Sequence, residues 1–255
     1  MKTYKFSIIT TTLNSERFLE RCLKSVKNQS YQNFEHILID GISTDNTMKI
    51  ISDNRSHFSK IISEKDDGIW DAMNKGLNLA TGDIICFLNS DDFYNVDALK
   101  IANKYFVENN IDFLFGSVKK YKLMHGYRPW MIKWSFGFYT SHSIGFFIKK
   151  NSHLKVGFYD KKFLSADLDF FYKMIVRDKL KGMSTKKNEI MGVFEKGGFS
   201  SKVNYLIHLR DLNQIRIANK ENIIKVYIIY FLKIIKTPLK YLLAYYQLKK
   251  KLKNL

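Results

Sequence analysis

Apolar and polar positions in the first half of the chain form short blocks whose period changes from that of a strand to that of a helix. Residues 15–29 repeat apolar side chains at the 3.6-residue spacing of an amphipathic helix, whereas 83–88 form a continuous apolar run typical of a strand buried on both faces. The same patterns predict strands at 5–11, 34–40, 60–63 and 112–117, and helices at 69–80 and 97–109, with another helix capped by Ser43 or Thr44. This alternation predicts an α/β fold whose mainly parallel sheet has helices on both faces.

The regular alternation ends near residue 118. The following stretch is rich in aromatic residues and predicts irregular strands and loops, before helices at 165–178 and 205–218. After Glu221 the chain has eight lysines and no acidic residue, interleaved with large apolar side chains. We therefore predict one domain over 1–218 and a basic amphipathic helical tail over 219–255.

Charge is the most unusual feature of the composition. Among 255 residues, 42 are Lys or Arg and 24 are Asp or Glu, which gives a net charge of +18 and favours a nucleic acid, an anionic membrane or a phosphorylated substrate as partner. The two cysteines, Cys22 and Cys86, lie far apart inside apolar patterns, as expected of reduced thiols rather than a disulfide framework or a zinc site. The sequence shows neither a signal peptide nor an uncharged run of 18 apolar residues, so a cytoplasmic protein without a spanning helix is predicted.

Polar side chains follow four of the predicted strands. They are Thr11 with Asn14, Asp40, Asp66 with Asp67, and Asn89 with Asp91 and Asp92. Each group alone is also compatible with a solvated turn. In an open parallel sheet, however, ligands lie outside the carboxyl ends of the strands, and clustered carboxylates there suit Mg²⁺ or Mn²⁺. Because the usual glycine-rich phosphate loops are missing, a metal ion would have to neutralise a phosphate group.

Two stretches, residues 7–47 and 64–92, the second beginning "EKDDGIWDAMNKG" and ending "FLNSDD", strongly resemble the family 2 glycosyltransferases. The resemblance covers roughly residues 5–200. It implies a GT-A fold and transfer of a sugar from a nucleoside-diphosphate donor, with uridine favoured as the nucleoside, in bacterial surface-polysaccharide synthesis. The acceptor would be a glycan or a lipid-linked molecule.

The resemblance also implies roles for individual residues on the donor side. By position, Thr11, Asp40 and Asp67 would hold the nucleoside, and Asn14 lies beside them. The metal that binds the diphosphate would be held by Asp91, with Asp92 as a weaker second ligand. Asn89 stands where family members often have an acidic residue, and its amide can still bind a ribose hydroxyl.

On the acceptor side, the stretch "FLSADLDFF" implies Asp167 as the catalytic base and Asp169 as its companion, although Ala166 replaces a commoner acid. The alternative is that both carboxylates merely favour a helix N-terminus. His142 is placed to contact the acceptor or the diphosphate, or else it packs in the protein interior. Trp130 and Trp134 are candidates either for stacking on sugar rings or for the core.

Three further interpretations concern the C-terminal part of the chain. Residues 195–201 have the composition of a mobile flap, and His208 is a remote candidate metal ligand. The tail either attaches the protein to the anionic inner face of the cell membrane or packs on the domain. Nucleic acid is not expected, because the tail has no Arg. The sequence is best interpreted as an inverting, metal-dependent glycosyltransferase; a sugar nucleotidyltransferase and a non-catalytic basic binding module are the alternatives.

Overall fold

The computed structural model describes residues 3–134, 143–195 and 204–235. Its centre is a seven-stranded sheet of order β10-β6-β9-β4-β1-β2-β3. The strands of this sheet are β1 (Phe6–Thr12), β2 (Phe34–Asp40), β3 (Lys60–Ser63), β4 (Ile84–Phe87), β6 (Phe113–Phe115), β9 (Phe146–Lys149) and β10 (Gly182–Ser184). All neighbouring pairs are parallel except the two that involve β9, which runs antiparallel to β4 and β6. The predicted mainly parallel α/β fold is confirmed.

Helices flank this sheet. They are α1 (Leu19–Lys27), α2 (Thr47–Asp53), α3 (Ile69–Leu79), α4 (Ala98–Glu108), α5 (Met131–Trp134), α6 (Lys150–Val156), α7 (Ala166–Tyr172) and α8 (Tyr205–Ala218). Gly76 allows α3 to lie directly on β1, since a Cβ atom there would be 2.3 Å from Cγ2 of Ile9. Apolar clusters fill both faces of the sheet. Both cysteines are buried and free, as predicted.

Several predicted boundaries differ from the observed ones for local reasons. The helix predicted from residue 15 begins at Leu19, because Ser15 instead starts a turn whose carbonyl accepts from the amides of Phe18 and Leu19. Neither Ser43 nor Thr44 caps the next helix; α2 begins at Thr47, and the Ser43 side chain bonds Asp40. The helix predicted at 165–178 is divided into α7 and a π-helical turn, Lys173–Arg177.

A second, four-stranded sheet of order β5-β11-β7-β8 forms from the region predicted to be irregular, together with one earlier strand. Its strands are β5 (Phe93–Tyr94), β7 (Ser117–Lys119), β8 (Leu123–Met124) and β11 (Ile190–Val193). Because β5 follows β4 after only a few residues, this sheet lies beside the carboxyl end of β4.

The last described residues, 204–235, form two consecutive helical segments. Helix α8 is followed by a turn and by helical residues 223–235, and side chains of both, among them Leu209, Arg216 and Ile229, line one small cavity. Val226 and Ile229 are buried, and Glu221 accepts a hydrogen bond from the Tyr172 hydroxyl. The first turns of the predicted tail thus contact the domain, while the division at residue 218 stays a prediction. Within the described ranges, no helix has both the length and the apolar character needed to cross a membrane.

Candidate functional site

The carboxyl ends of β1 and β4 meet through a direct side-chain contact. The Thr11 hydroxyl donates to Oδ1 of Asn89 at 3.3 Å, and the amide of Ser90 bonds the Thr11 carbonyl. Ser15, just beyond β1, also pairs with Ser90 through their hydroxyls at 2.8 Å. The parallel register of the two strands brings these ends to the same edge of the sheet, as the sequence predicts.

The loops after β1 and β2 are joined at Asn14. Its amide N–H donates to the Ser43 hydroxyl, and its side-chain Oδ1 accepts from the backbone amide of Thr44, both at 2.8 Å. Asn14 has φ = 48°, a left-handed conformation that Asn adopts more readily than most residues. Asn14 therefore holds together the two loops that follow β1 and β2.

Asp40 ends β2 and is completely buried. Its carboxylate accepts from the backbone amide and hydroxyl of Ser43 and from the hydroxyl of Ser63, at the end of β3. Charge-assisted bonds of this kind are among the stronger ones in proteins. They tie the ends of β2 and β3 together, and any ligand contact of Asp40 would have to share its oxygens with these serines.

The two adjacent acids after β3 have different surroundings. Asp66 is half-buried and lies against Gly41, where a Cβ atom would come within 2.6 Å of Asp66 Oδ2. Asp67 has a side chain that is 75% exposed, and it pairs with Lys161 at 2.9 Å. The same lysine binds Asp71 on α3, whose pKa it lowers. Asp66 is thus the member of the pair that lies next to the end of β2.

Asp91 and Asp92 follow β4 in a poorly hydrated position. Burial raises the pKa of Asp91, and nearby Glu195 raises it further, while Arg21 acts in the opposite direction. Arg21 spans this turn: its guanidinium donates to the Asp91 carbonyl and pairs with Glu195 at 2.7 Å. The carboxylate of Asp91 is therefore in an environment that a cation would stabilise.

Asp92 is bound to the segment that follows β11. It is completely buried, and its Oδ1 accepts from the Glu195 amide at 3.0 Å, which anchors the chain leaving β11. Burial and the neighbouring Asp91 raise the pKa of Asp92 well above its ordinary value. Its place as a second metal ligand stays a prediction, and its bond to the Glu195 amide holds the chain after β11.

The turn before α7, residues 159–165, is hydrogen-bonded to helices α3 and α8. From α3, the Trp70 indole donates to the Leu164 carbonyl, and the side-chain amide of Asn74 exchanges two bonds with the Tyr159 backbone. From α8, the Asp211 carboxylate accepts from the amides of Leu164 and Ser165, at 2.9 and 2.8 Å. These contacts fix where α7 begins.

Asp167 lies in the first turn of α7 and is half-buried. Its Oδ1 accepts from the amide of Leu168. Burial, and next the charge of Asp167, raise the pKa of Tyr159 well above its usual range. The Tyr159 ring contacts Phe87 at the end of β4, with 5.6 Å between centroids, so one buried aromatic connects the surroundings of Asp167 to the strand that precedes Asp91.

The other predicted acceptor-side residues are placed differently. Asp169 is buried and bound to Lys173 at 2.6 Å and to Asn219 at 2.7 Å, which directs it toward the C-terminal helices. His208 Nδ1 is 3.1 Å from the Ser165 hydroxyl rather than near the strand ends. Trp130 and Trp134 are each 62% exposed, so neither is a core residue. His142 and most of the 195–201 segment lie outside the described residues.

Sequence patterns did not indicate four residues that organise the site: Arg21, Lys161, Glu195 and Asp211. Each acts through a partner distant in sequence, and each stands in an otherwise ordinary helix or loop. In the described ranges, no three His, Cys, Asp or Glu side chains form a group that could hold a metal ion by themselves.

Comparison with known sequences and structures places the chain among sugar-transferring proteins. Residues 7–171 match the model of the glycosyl transferase family 2. The PGL/p-HBAD biosynthesis glycosyltransferase Rv2957 of Mycobacterium tuberculosis is 39% identical over 118 residues, which cover 44% of this chain and 46% of that protein. The Escherichia coli UDP-Glc:alpha-D-GlcNAc-diphosphoundecaprenol beta-1,3-glucosyltransferase WfgD is 33% identical over 118 residues, covering 46% of this chain and 47% of that one. These alignments span about half the length of both relatives.

Solved structures share the fold at lower identity. Staphylococcus aureus TarS, residues 1–349 in complex with UDP-GlcNAc, superposes with a TM-score of 0.69 at 19% identity, covering 84% of this chain and 66% of that one. The Pyrobaculum calidifontis mannosyltransferase PcManGT, in complex with GDP-Man and Mn²⁺, gives 0.65 at 17% identity, covering 87% and 66%. The architecture described above is therefore that of GT-A glycosyltransferases.

Proposed function

The chain belongs to glycosyl transferase family 2, and we propose that it is an inverting, metal-dependent glycosyltransferase of surface-polysaccharide synthesis. It would move a sugar from a nucleoside-diphosphate donor to a hydroxyl group of a glycan or lipid-linked acceptor. The observation that most supports this proposal is the linked set of strand ends, in which Thr11 bonds Asn89 and Asp40 bonds Ser63 beside the half-buried Asp91. The polar edge of the parallel sheet is where such a fold binds nucleotides.

The donor nucleoside would lie between the ends of β1, β2 and β3. Uracil and ribose present N–H and O–H donors, which suit the oxygen atoms of Thr11, Asp40 and Asn89 and the carboxylates after β3. We propose Asp66 as a donor-side carboxylate in addition to Asp67, because Asp66 lies against Gly41 at the end of β2. A uridine donor is supported by the UDP-GlcNAc bound to the TarS structure.

A divalent ion, Mg²⁺ or Mn²⁺, fits the chemistry at Asp91. The site offers oxygen ligands only, and Mg²⁺ is commonly held by one or two carboxylates together with substrate phosphates and water. Burial and Glu195 raise the pKa of Asp91, so a cation would stabilise its ionised form. When bound, the ion would offset the charge of the departing nucleoside diphosphate.

Asp167 would act as the general base. It would accept the proton of the acceptor hydroxyl while the oxygen forms its bond to the anomeric carbon and the diphosphate leaves from the opposite face. Trp70, Asn74 and Asp211 hold the backbone turn just before this residue. We assign them a positioning role.

We also propose that the enzyme works at the inner face of the cell membrane, attached through its tail, residues 219–255. A lipid-linked acceptor would be encountered there. The eight lysines after Glu221, with no acid among them, support attraction to anionic lipid.

The proposed reaction is tested by measuring nucleoside diphosphate released from UDP-sugars with and without Mn²⁺. We expect release to require the metal, and Asp91→Asn to abolish it and to weaken metal-dependent UDP binding. Asp53→Asn, which removes an exposed carboxylate paired with Lys49, is the matched control and should change neither quantity. Wild-type turnover in the Asp91 variant would refute the assignment, and formation of UTP and sugar phosphate from a UDP-sugar and added pyrophosphate would identify a nucleotidyltransferase instead.

A further inference from the structure

The helical residues 223–235 expose a large apolar stripe. Its members are Ile223, Ile224, Tyr227, Ile228, Phe231, Leu232 and Ile235, each at least 47% exposed. They recur at intervals of three and four residues, so they share one side of the helix. A soluble protein normally places charged residues on the outer side of such a helix, and a contiguous apolar patch of this kind marks an interaction surface.

The opposite side of the same helix is fixed to the domain. Val226 and Ile229 are buried, and Lys225 pairs with Glu221, which also accepts from the Tyr172 hydroxyl on α7. Lys233 is half-buried near Arg216 of α8, and burial lowers its pKa to about 8. The apolar stripe therefore faces outward from an anchored helix.

Cations and an exposed aromatic residue border the stripe. The Lys225 ammonium lies 4.2 Å from the ring centroid of Trp134, which is itself 62% exposed and follows the exposed Lys133. Tryptophan and tyrosine beside lysine are typical of the boundary between lipid and water. The sequence after Glu221 has eight lysines and no acid, so two copies of this segment of the chain would repel each other, whereas an anionic partner would attract it.

We propose that the apolar stripe of residues 223–235, with Trp134 at its border, docks directly on an anionic lipid bilayer. This inference rests on the membrane part of the proposed function and deepens it, because it assigns the contact to the outer side of an anchored helix. The adjoining helix α8 carries Asp211, which holds the turn before Asp167. A docked bilayer would thus lie beside the helical pair that positions the acceptor side of the site.

The test uses the full chain and vesicles of phosphatidylglycerol and phosphatidylcholine in a sedimentation assay. We expect Ile228→Glu combined with Phe231→Glu to lower the partition coefficient at least tenfold. The matched control is Val96→Glu with Leu154→Glu, which adds the same two charges at apolar side chains of similar exposure on other surfaces. We expect the control to stay within about twofold of wild type, because it carries the same change in net charge but leaves the apolar stripe intact.

A second measurement tests whether Trp134 contacts the bilayer. In a Trp130→Phe background, brominated lipid should quench part of the fluorescence, and adding Trp134→Phe should remove that quenching. Trp70, whose indole donates to Leu164, remains as the internal reference. Quenching that persists without Trp134 would overturn its place at the border.

Four results would overturn the proposal, each in a different way. Equal loss of binding in the control variant would show a general charge effect, and vesicle binding unchanged by the Ile228 and Phe231 substitutions would place attachment elsewhere on the chain. A lipid-free dimer that these substitutions dissociate would identify the stripe as an interface between copies. A lower unfolding midpoint of that variant without lipid would show that the chain itself covers the stripe. None of these assays uses a sugar donor, so their failure is distinguishable from failure of the proposed reaction.

Discussion

The edge proposed to bind the donor (the donor edge) and the turn proposed to position the acceptor side (the acceptor turn) are held in place by different means. At the donor edge, formed by the ends of β1 to β4, the register of a parallel sheet decides which side chains meet, as at Thr11 and Asn89. At the acceptor turn, residues 159–165, no ladder sets the position. Instead, single side chains from α3 and α8 hold the backbone. The donor edge is therefore a consequence of the fold, whereas the acceptor turn depends on a few individual residues.

Among changes at the acceptor turn, the largest effect is expected from the carboxylate of Asp167, which follows the turn. Asp167→Asn should lower kcat by roughly 10²–10⁴, the usual contribution of a general base, because an amide cannot accept the proton. Donor binding should be nearly unchanged, since the donor edge is built separately. Calorimetric titration with UDP beside a transfer assay measures the two quantities.

Asp169→Asn is the matched control for that experiment, because it changes a carboxylate two residues away in the same helix. Asp169 is buried against Lys173 and Asn219, so the substitution should lower the unfolding midpoint and leave kcat within a few-fold. A large loss of donor affinity in the Asp167 variant, with turnover of the bound complex preserved, would remove Asp167 from the catalytic role.

The next effect concerns the support of the turn. Asp211→Ala leaves the amides of Leu164 and Ser165 without their acceptor, and a displacement of about 1 Å at a reacting group can cost about 10²-fold in rate. We expect kcat to fall about 10- to 100-fold with unchanged UDP affinity. Asp211→Asn, which keeps one carbonyl oxygen, should recover part of the loss.

The pH profile separates positioning from proton transfer at Asp211. If Asp211 only holds the turn, the acidic limb of the kcat profile should keep its midpoint in Asp211→Asn while its height falls. A shifted midpoint would show that Asp211 takes part in the protonation equilibrium.

The contrast between the two regions also explains what sequence patterns could predict. The patterns predict β2 and β3 with their observed bounds, because the apolar residues of each strand end at a polar one. The contact between Thr11 and Asn89 is of the kind that sheet topology predicts, since parallel strands end at the same edge. Asp211 could not be identified in this way, since it is one acid on an ordinary helix and its partners are backbone amides 46 and 47 residues away.

Sequence patterns also could not distinguish the roles of the two adjacent acids that follow β3. Asp66 and Asp67 both follow β3, and the resemblance pointed to Asp67, but only three-dimensional packing shows that Asp66 lies on Gly41. Similarly, the apolar side chains after Glu221 do not reveal which of them face outward, because both sides of that helix are apolar in sequence.

A smaller effect is expected from Gly41→Ala at the donor edge. The new Cβ atom would lie 2.6 Å from Oδ2 of Asp66, so the carboxylate must move. We expect UDP affinity to fall by about tenfold, roughly the 1–1.5 kcal/mol of one hydrogen bond, with kcat at saturating donor little changed.

A double-mutant cycle with Asp66→Ala sharpens this prediction. If Gly41 acts through Asp66, the two substitutions should be non-additive, and the pair should bind UDP about as weakly as Asp66→Ala alone. Additive losses would show that the methyl group disturbs the site by another route. Asp67→Ala, at the exposed neighbour, serves as the comparison for the assignment of the donor-side carboxylate.

The smallest effect is expected on stability, in the hydrophobic interior between β4 and α7. His153 is completely buried between Phe87 of the donor strand β4 and Phe170 of α7, and burial lowers its pKa to about 3. The folded protein keeps this ring neutral, whereas the unfolded chain binds a proton below its ordinary pKa of about 6.5. The free energy of unfolding should therefore decrease as the pH falls from about 6.5 toward 3, by up to about 1.4 kcal/mol per pH unit from this group.

His153→Phe should make the slope of unfolding free energy against pH shallower, by at most the contribution of one proton. Denaturant unfolding at several pH values measures this slope. Other buried groups, including His36, contribute to the remaining slope. An equal slope in wild type and His153→Phe would show that protonation of this ring does not contribute to the pH dependence of stability.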